Sequence, residues 1–159
     1  MITAATKSVD DTRALAAEVA ALAAPGDLVV LAGDLGTGKT AFAQGFARGL
    51  GVDEPVTSPA FVLVRTYDGR LPLVHLDVYR LDNMQELVEL GISELLDEGA
   101  VTLVEWGDAV TPGLPADFLE VRLEDGGDAD ERLLTIRSVG PAWPPRADAL
   151  RRAVAPWTR

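Results

Sequence analysis

The N-terminal third of the chain carries one helical pattern followed by one strand pattern. Apolar side chains recur at Leu15, Val19 and Leu22, behind a capping-box spacing of serine and aspartate. That recurrence predicts a helix over residues 10–23. Residues 28–32 (LVVLA) are continuously apolar between turn residues, which is typical of a central strand buried on both faces.

A second helix is predicted over residues 39–50, directly after a glycine-rich segment. Farther along, residues 61–67 and 71–78 are strand-like and flank Asp68 and Gly69. An Asp-Gly pair between two such runs is a strong hairpin signal. A first hairpin is therefore expected after the second helix.

The next segment shows a broken helical face and then more strands. One helical face would carry Met84, Leu87, Val88, Ile92, Leu95 and Leu96. Because Gly91 falls on the same face, two short helices are predicted there. Residues 101–106 predict another buried strand, and residues 118–123 and 133–136 alternate around a Gly-Gly-Asp turn, which predicts a second hairpin.

Early alternation of strands with helices and later hairpins predict an α/β fold with a mixed parallel and antiparallel sheet flanked by helices. The length of 159 residues fits one domain, which we place at residues 1–139.

Residues 140–159 form a Pro/Arg-rich tail with a short helix expected from Asp148. Its four arginines and one aspartate give +3, which suits either a solvated, poorly ordered end or a contact surface for an acidic partner or RNA.

The overall charge changes the expected partners. Fourteen Lys and Arg against 25 Asp and Glu give −11, and such a surface repels the phosphates of nucleic acid.

Without cysteine the chain has no disulfide or thiolate chemistry. Its apolar runs are too short to cross a bilayer, and its N-terminus lacks the pattern of a secretory signal. A cytoplasmic protein with no membrane partner is the simplest expectation.

The strongest chemical motif occupies residues 33–40 and reads GDLGTGKT. A glycine, four residues and then Gly-Lys-Thr is the phosphate-loop pattern, here between a predicted strand and a predicted helix. The expected nucleotide-binding residues are Gly33, Asp34, Leu35, Gly36, Thr37, Gly38, Lys39, Thr40 and Ala41. Glycines let backbone N–H groups turn toward an anion, Lys39 brings charge to the β- and γ-phosphates, and Thr40 can ligate Mg²⁺.

Hydrolysis needs further groups, and two strand ends supply acids. Asp77 follows the apolar run at residues 73–76, and Glu105 follows the run at residues 101–104. Parallel strands bring their carboxyl ends to the edge where a phosphate loop lies, so either acid is a candidate to hold Mg²⁺ or to orient water. For each acid alone, a solvated strand-end carboxylate is an equally good reading.

Three further positions each have a structural and a functional reading. His75 lies two residues before Asp77 and fits a packed core histidine better than a phosphate contact or a proton-transfer group. Trp106 either stacks on a base or packs half-buried. Thr57 and Ser58, before a proline, form either a switch segment that contacts the γ-phosphate or a capped turn.

The stretches GDLGTGKT, VTSPAF, HLDVYRL, ELVELG and VEWGD, in this order, resemble the bacterial TsaE (YjeE) family. They span residues 33–108, and their combination is far more specific than the phosphate loop alone. The resemblance implies a P-loop NTPase domain and an ATPase required for threonylcarbamoyladenosine beside the anticodon of tRNA. It also implies the TsaB–TsaD pair as partner, with tRNA reached only through that complex.

Carried over to this sequence, the resemblance makes Lys39 and Thr40 ligands of phosphate and magnesium. Asp77 and Glu105 become the acidic pair around metal and water, so that Lys39, Asp77 and Glu105 form the catalytic set and Thr40, Asp77 and Glu105 the metal set. Trp106 is placed close to the ATP. The preference of the protein for ATP over GTP comes from the resemblance alone. Thr57 and Ser58 fall in the switch segment.

The chain departs from the family pattern at two places. Ala60 replaces a threonine, which removes one hydroxyl from the switch segment, and Gly107-Asp108 replaces Pro-Glu after the tryptophan. Arg80 is the first arginine to test as a source of transition-state charge. A small metabolite kinase and a nucleotide-gated binding module are the alternative functions, although the short connections leave no obvious room for a kinase lid.

Overall fold

The computed structural model describes residues 1–34, 36–56, 64–77, 91–105 and 114–159. Within these ranges, seven strands form one sheet: β1 Ile2–Thr6, β2 Leu28–Ala32, β3 Val64–Tyr67, β4 Leu73–Asp77, β5 Val101–Glu105, β6 Phe118–Asp125 and β7 Arg132–Val139. The helices are α1 Val9–Ala20, α2 Lys39–Gly49, α3 Ile92–Asp97 and α4 Ala147–Val154.

The sheet is mixed, as predicted, with strand order β1-β7-β6-β2-β5-β4-β3. The central strand β2 is parallel to β5 on one side and to β6 on the other, and β4 continues the parallel set beside β5. The β3–β4 and β6–β7 pairs are antiparallel, which confirms both predicted hairpins. The loop that follows β2 therefore lies at the carboxyl ends of four parallel strands.

Both faces of the central sheet are covered. Val29 and Leu31 of β2 belong to the larger core, with buried residues of α1 and α2, whereas Leu28 and Val30 belong to a smaller core that includes Ile92 of α3. A strand packed on both faces needs apolar side chains at every position. This explains why residues 28–32 show no polar alternation.

The first helix confirms its prediction with a shorter C-terminal end. Ser8 Oγ accepts a hydrogen bond from the Asp11 backbone N–H at 3.0 Å, and the Asp11 carboxylate accepts one from the Lys7 N–H at 3.0 Å. The bond to Ser8 satisfies one donor that the first helical turn leaves unpaired, and the bond from Lys7 fixes the backbone just before the helix. The helix ends at Ala20 instead of residue 23, and Arg70 donates to the Ala20 carbonyl at its end.

Strand β1 was not predicted. Ile2 is its only large apolar residue, and alanine and threonine fill the rest, so the alternation of buried and exposed positions is weak in the sequence. The strand exists because it pairs with β7, from Ile2 opposite Ile136 to Thr6 opposite Arg132. A partner more than a hundred residues away leaves no local signal.

The break predicted at Gly91 is present at the start of α3. Gly91 has φ of 70° and immediately precedes the helix at Ile92. The other predicted helix, before Gly91, lies outside the described residues. None of the helices within the described ranges has the length and apolar composition needed to cross a bilayer.

The C-terminal segment is ordered and packs against the rest of the fold. Trp143 is 1% exposed, and Leu150 and Val154 of α4 belong to the larger core. Arg146 stacks on Trp143 and donates to both carboxylate oxygens of Asp27, at 2.6 and 2.9 Å. The short helix in the tail is thus present, but the expectation of a solvated, poorly ordered end is wrong. The division at residue 139 stays a prediction.

Candidate phosphate-binding and acidic site

The predicted phosphate loop connects the buried strand β2 to helix α2. Lys39, the first residue of α2, is 5% exposed, and its Nζ donates to the carbonyls of Gly33 and Asp34 at 2.7 Å each. A further hydrogen bond crosses the loop, because Thr37 Oγ1 donates to the Asp34 carbonyl at 2.7 Å. The loop is thus closed on itself at the N-terminus of a helix, where backbone N–H groups and the helix dipole favour an anion.

The first glycine of the loop is needed for close packing. Gly33 has φ of 139°, and a Cβ there would lie 2.4 Å from the Leu123 carbonyl oxygen and 2.8 Å from Thr37 Oγ1. Backbone and loop would both have to move to admit a side chain. Gly36 also has positive φ, at 82°, but a Cβ there would meet nothing within 4 Å.

We expect Gly33→Ala to lower the free energy of unfolding by roughly 2 kcal/mol or more, since both strain and overlap oppose it. The matched variant Gly36→Ala adds only the strain of positive φ, about 1–2 kcal/mol. Urea unfolding followed by tryptophan fluorescence measures both. Equal losses for the two variants would contradict the role assigned to the contact with Leu123.

The two predicted acids meet at neighbouring strand ends. Asp77 of β4 lies directly opposite Glu105 of β5 in the parallel register, and Glu105 lies opposite Leu31 of β2. Asp77 and Glu105 are 5% and 3% exposed, so neither is a solvated carboxylate. The alternation along these strands places both acids on the face that α1 and α2 cover, the face toward which the phosphate loop leads.

The only histidine of the chain, His75, is hydrogen-bonded to one of these acids, Glu105. His75 Nε2 and Glu105 Oε2 are 2.5 Å apart, and His75 is fully buried. The two residues are diagonal neighbours on one face of the β4–β5 pair, within reach of long side chains. His75 is therefore a packed, hydrogen-bonded core residue, as the sequence favoured, but its partner is a candidate catalytic carboxylate.

The donor set suits Mg²⁺ held together with a nucleotide. Within the described ranges, no group of three or more His, Cys, Asp or Glu side chains could hold a metal by itself. Mg²⁺ usually takes one or two carboxylates and completes its shell with phosphate oxygens and water. Asp77, Glu105 and the Thr40 hydroxyl are hard oxygen donors of the kind it prefers.

The sequence did not predict the polar contacts of two residues, Arg132, which contacts the loop, and Gln44, which lies on the helix that follows the loop. Arg132, the first residue of β7, donates from Nη2 to the Gly36 carbonyl at 3.3 Å. Gln44 of α2 accepts two hydrogen bonds from Arg13 of α1 and donates to the Val56 carbonyl at 3.1 Å. Neither residue belongs to a recognisable motif, and each contact depends on how distant elements pack.

Several predicted residues lie outside the described part of the chain. They are Leu35 of the loop, Thr57 and Ser58 of the switch segment, Trp106 beside the nucleotide, and Ala60, Arg80, Gly107 and Asp108. Their roles stay predictions. Val56, which Gln44 holds, is the last described residue before the switch segment.

A glycine loop between a buried parallel strand and a helix, with acids at the ends of neighbouring parallel strands, defines a P-loop NTPase fold. The family model for threonylcarbamoyl adenosine biosynthesis protein TsaE matches residues 6–134, most of the chain. The chain belongs to the TsaE family.

Two relatives and one solved structure support the same assignment. The tRNA threonylcarbamoyladenosine biosynthesis protein TsaE of Bacillus subtilis is 44% identical over 136 residues, which cover 85% of this chain and 84% of the relative. That of Treponema pallidum is 38% identical and covers 80% of this chain and 94% of its own length. A crystal structure of Bacillus subtilis YdiB has a TM-score of 0.81 and 38% identity, covering 96% of this chain and 97% of that one.

Proposed function

We propose that this protein is a Mg²⁺-dependent ATPase that acts with a TsaB–TsaD pair in forming threonylcarbamoyladenosine in tRNA. One observation carries the ATPase part of the proposal. Two buried acids, Asp77 and Glu105, stand in register on adjacent parallel strands, and Glu105 lies beside the strand that leads into the phosphate loop.

The loop would bind the triphosphate through its backbone N–H groups and Lys39. The Lys39 ammonium already lies over the loop, 2.7 Å from the Gly33 and Asp34 carbonyls, so phosphate oxygens can replace these neutral acceptors. Hydrogen bonds from an ammonium to charged oxygens are stronger than those to carbonyls. ATP would therefore be held mainly by its phosphates.

Hydrolysis would follow the usual course of phosphoryl transfer. Water attacks the γ-phosphorus in line, the bond to the β–γ bridging oxygen breaks, ADP leaves, and one carboxylate of the pair orients the water. His75 keeps Glu105 in one position, which lowers the cost of reaching the reacting geometry. Mg²⁺, when bound, would neutralise charge on the β- and γ-phosphate oxygens.

The charge of the chain supports an indirect route to tRNA. With a net charge of −11, the protein should be repelled by a polynucleotide backbone, particularly at low salt. Contact through a TsaB–TsaD pair removes the need for this chain to bind tRNA by itself. ATP turnover by the isolated chain is expected to be slow and to rise when that pair is added.

The proposal is tested by measuring threonylcarbamoyladenosine in tRNA from cells depleted of this protein. The modification should fall and should return with the wild-type chain but not with Lys39→Met, while Lys7→Met, the variant of the only other lysine, should restore it. Normal modification in depleted cells would overturn the biological role. ATP turnover that purified TsaB–TsaD leaves unchanged would overturn the coupling.

A further inference from the structure

The β6–β7 hairpin carries no nucleotide-binding motif, yet one of its side chains contacts the phosphate loop. Arg132 stands at the start of β7, opposite Asp125 at the end of β6. Its Nη1 donates to the carbonyls of Ala129 and Glu131 at 2.8 Å each, which fixes the guanidinium on the hairpin turn. Its Nη2 donates to the Gly36 carbonyl at 3.3 Å.

The same guanidinium also lies against the last glycine of the loop. A Cβ on Gly38 would stand 3.5 Å from Arg132 Nε and 3.7 Å from its Cγ, so the arginine stem borders the space that a side chain at this position would enter. Nε is buried and has no hydrogen-bond partner among the described residues. Arg132 therefore contacts the loop at the Gly36 carbonyl and lies beside the position of Gly38.

The charge of Arg132 is only weakly compensated. Among the described residues its hydrogen-bond acceptors are carbonyls, and its ion pair with Asp125 has a separation of 3.8 Å and an aspartate side chain that is 77% exposed. The Arg132 side chain itself is only 15% exposed. In a chain of net charge −11, this places a largely buried positive charge beside the segment that would bind phosphates.

We propose that Arg132 is a positioning residue of the nucleotide site, which holds the loop at the Gly36 carbonyl and sets the affinity of the loop for phosphates. In phosphate loops the N–H groups turn inward to the anion, so an outer carbonyl is where a brace can hold the loop without blocking the ligand. Preorganisation of this kind lowers the ordering cost of binding. The inference rests on the proposed ATP binding.

The test compares the full-length wild type with Arg132→Ala and Arg132→Lys, using ATP and inorganic tripolyphosphate as calorimetric ligands. Arg132→Ala should weaken both ligands about tenfold, the scale of one hydrogen bond made by a charged donor. The ratio of the two affinities should not change, since the loop and not the nucleoside is affected. Arg132→Lys, which keeps the charge but not the fork, should recover part of the loss.

Arg137 provides the matched control. It lies on the same strand, its side chain is 53% exposed, and it pairs with Glu120 instead of the loop. Arg137→Ala should leave both affinities within about twofold of wild type. Hydrogen exchange at the amides of Gly36 and Gly38 should accelerate in Arg132→Ala more than exchange at the amides of β2, and neither should change in Arg137→Ala. A general loss of stability in Arg132→Ala would instead accelerate exchange in β2 as well.

The outcomes separate this inference from the proposed function. Wild-type protein that binds neither ATP nor tripolyphosphate would overturn the proposed function. Wild-type binding with Arg132→Ala within twofold of it would overturn only the positioning role. A loss confined to ATP would also overturn it, because Arg132 would then contact the nucleoside. If Arg132→Ala does not fold, Arg132→Lys must weaken both ligands equally for the proposal to stand.

Discussion

Replacing Lys39 by methionine is expected to weaken ATP binding about 100-fold or more, because two hydrogen bonds from an ammonium to phosphate are lost at ~1.5 kcal/mol or more each. Methionine keeps most of the apolar stem of this buried side chain, whose Nζ alone makes the contacts with the Gly33 and Asp34 carbonyls. Calorimetric titration with ATP and tripolyphosphate measures the loss, and both ligands should be affected alike.

The control for Lys39→Met is Lys7→Met. Lys7 is exposed and lies before α1, so its loss changes the net charge by the same amount without touching the loop. This variant should bind ATP like the wild type. Equal weakening in both variants would mean that Lys39 acts only through net charge, and unchanged binding in Lys39→Met would remove the loop as the phosphate site.

Glu105→Gln is expected to lower ATP turnover by about 10²–10⁴, the range for losing a group that orients or deprotonates the nucleophile. Binding of ATP should change little, because the contribution of this carboxylate is expected mainly in the transition state. Glutamine is isosteric, and its carbonyl oxygen can still accept from His75 Nε2, so the packing of this buried pair is preserved. Phosphate release and ATP affinity are measured side by side.

Asp77→Asn separates the two acids. If Asp77 holds Mg²⁺, the variant needs more Mg²⁺ for half-maximal turnover, and excess Mg²⁺ recovers part of the rate, whereas a water-orienting carboxylate cannot be rescued in this way. The same titration on Glu105→Gln assigns the other role. Turnover at the wild-type rate in both variants would contradict the acidic site.

Glu120→Gln is the control for both acids. Glu120 is 6% exposed, but its register position opposite Val30 places it on the other face of the sheet. It accepts a hydrogen bond from Arg137 at 2.7 Å, and this bond raises the pKa of the Arg137 guanidinium. Its loss is expected to affect stability and to leave turnover per folded molecule unchanged.

The Glu105→Gln protein also discriminates between the ATPase and a nucleotide-gated binding module. If the protein acts as an ATPase, it must hydrolyse ATP each time it supports the modification of tRNA. Depleted cells that carry this variant should then lack threonylcarbamoyladenosine. Normal modification with a variant that binds ATP but does not hydrolyse it would favour the binding module. A phosphorylated metabolite formed by the wild type would instead favour a small kinase.

Local sequence signals were enough for the central strand, the phosphate loop and both hairpins. The continuous apolar run at residues 28–32 predicts a buried strand, and the Asp-Gly pair predicts a hairpin turn. Both predictions depend only on residues that are close in the sequence, so they need no knowledge of the tertiary structure. The glycines of the loop likewise report a backbone conformation that other residues rarely adopt. Asp77 and Glu105 could be proposed as a pair only because parallel strands bring their carboxyl ends together.

Other features depended on contacts between distant parts of the chain. His75 and Glu105 are 30 residues apart, Gly36 and Arg132 are 96 apart, and Asp27 and Arg146 are 119 apart. No periodicity or turn signal links such pairs, because each contact follows from strand order and helix packing. For the same reason β1 and the packed tail were missed.

The sequence by itself determined where phosphates are expected and which carboxylates are candidates beside them, since backbone geometry and strand ends follow from local residue types. The tertiary structure decided what supports those groups. It placed Glu105 against His75, packed Trp143, Leu150 and Val154 of the C-terminal segment into the main core, and brought Arg132 to the Gly36 carbonyl of the loop. A loop sequence specifies the shape of its own backbone, but only packing by the rest of the fold specifies how firmly that shape is held.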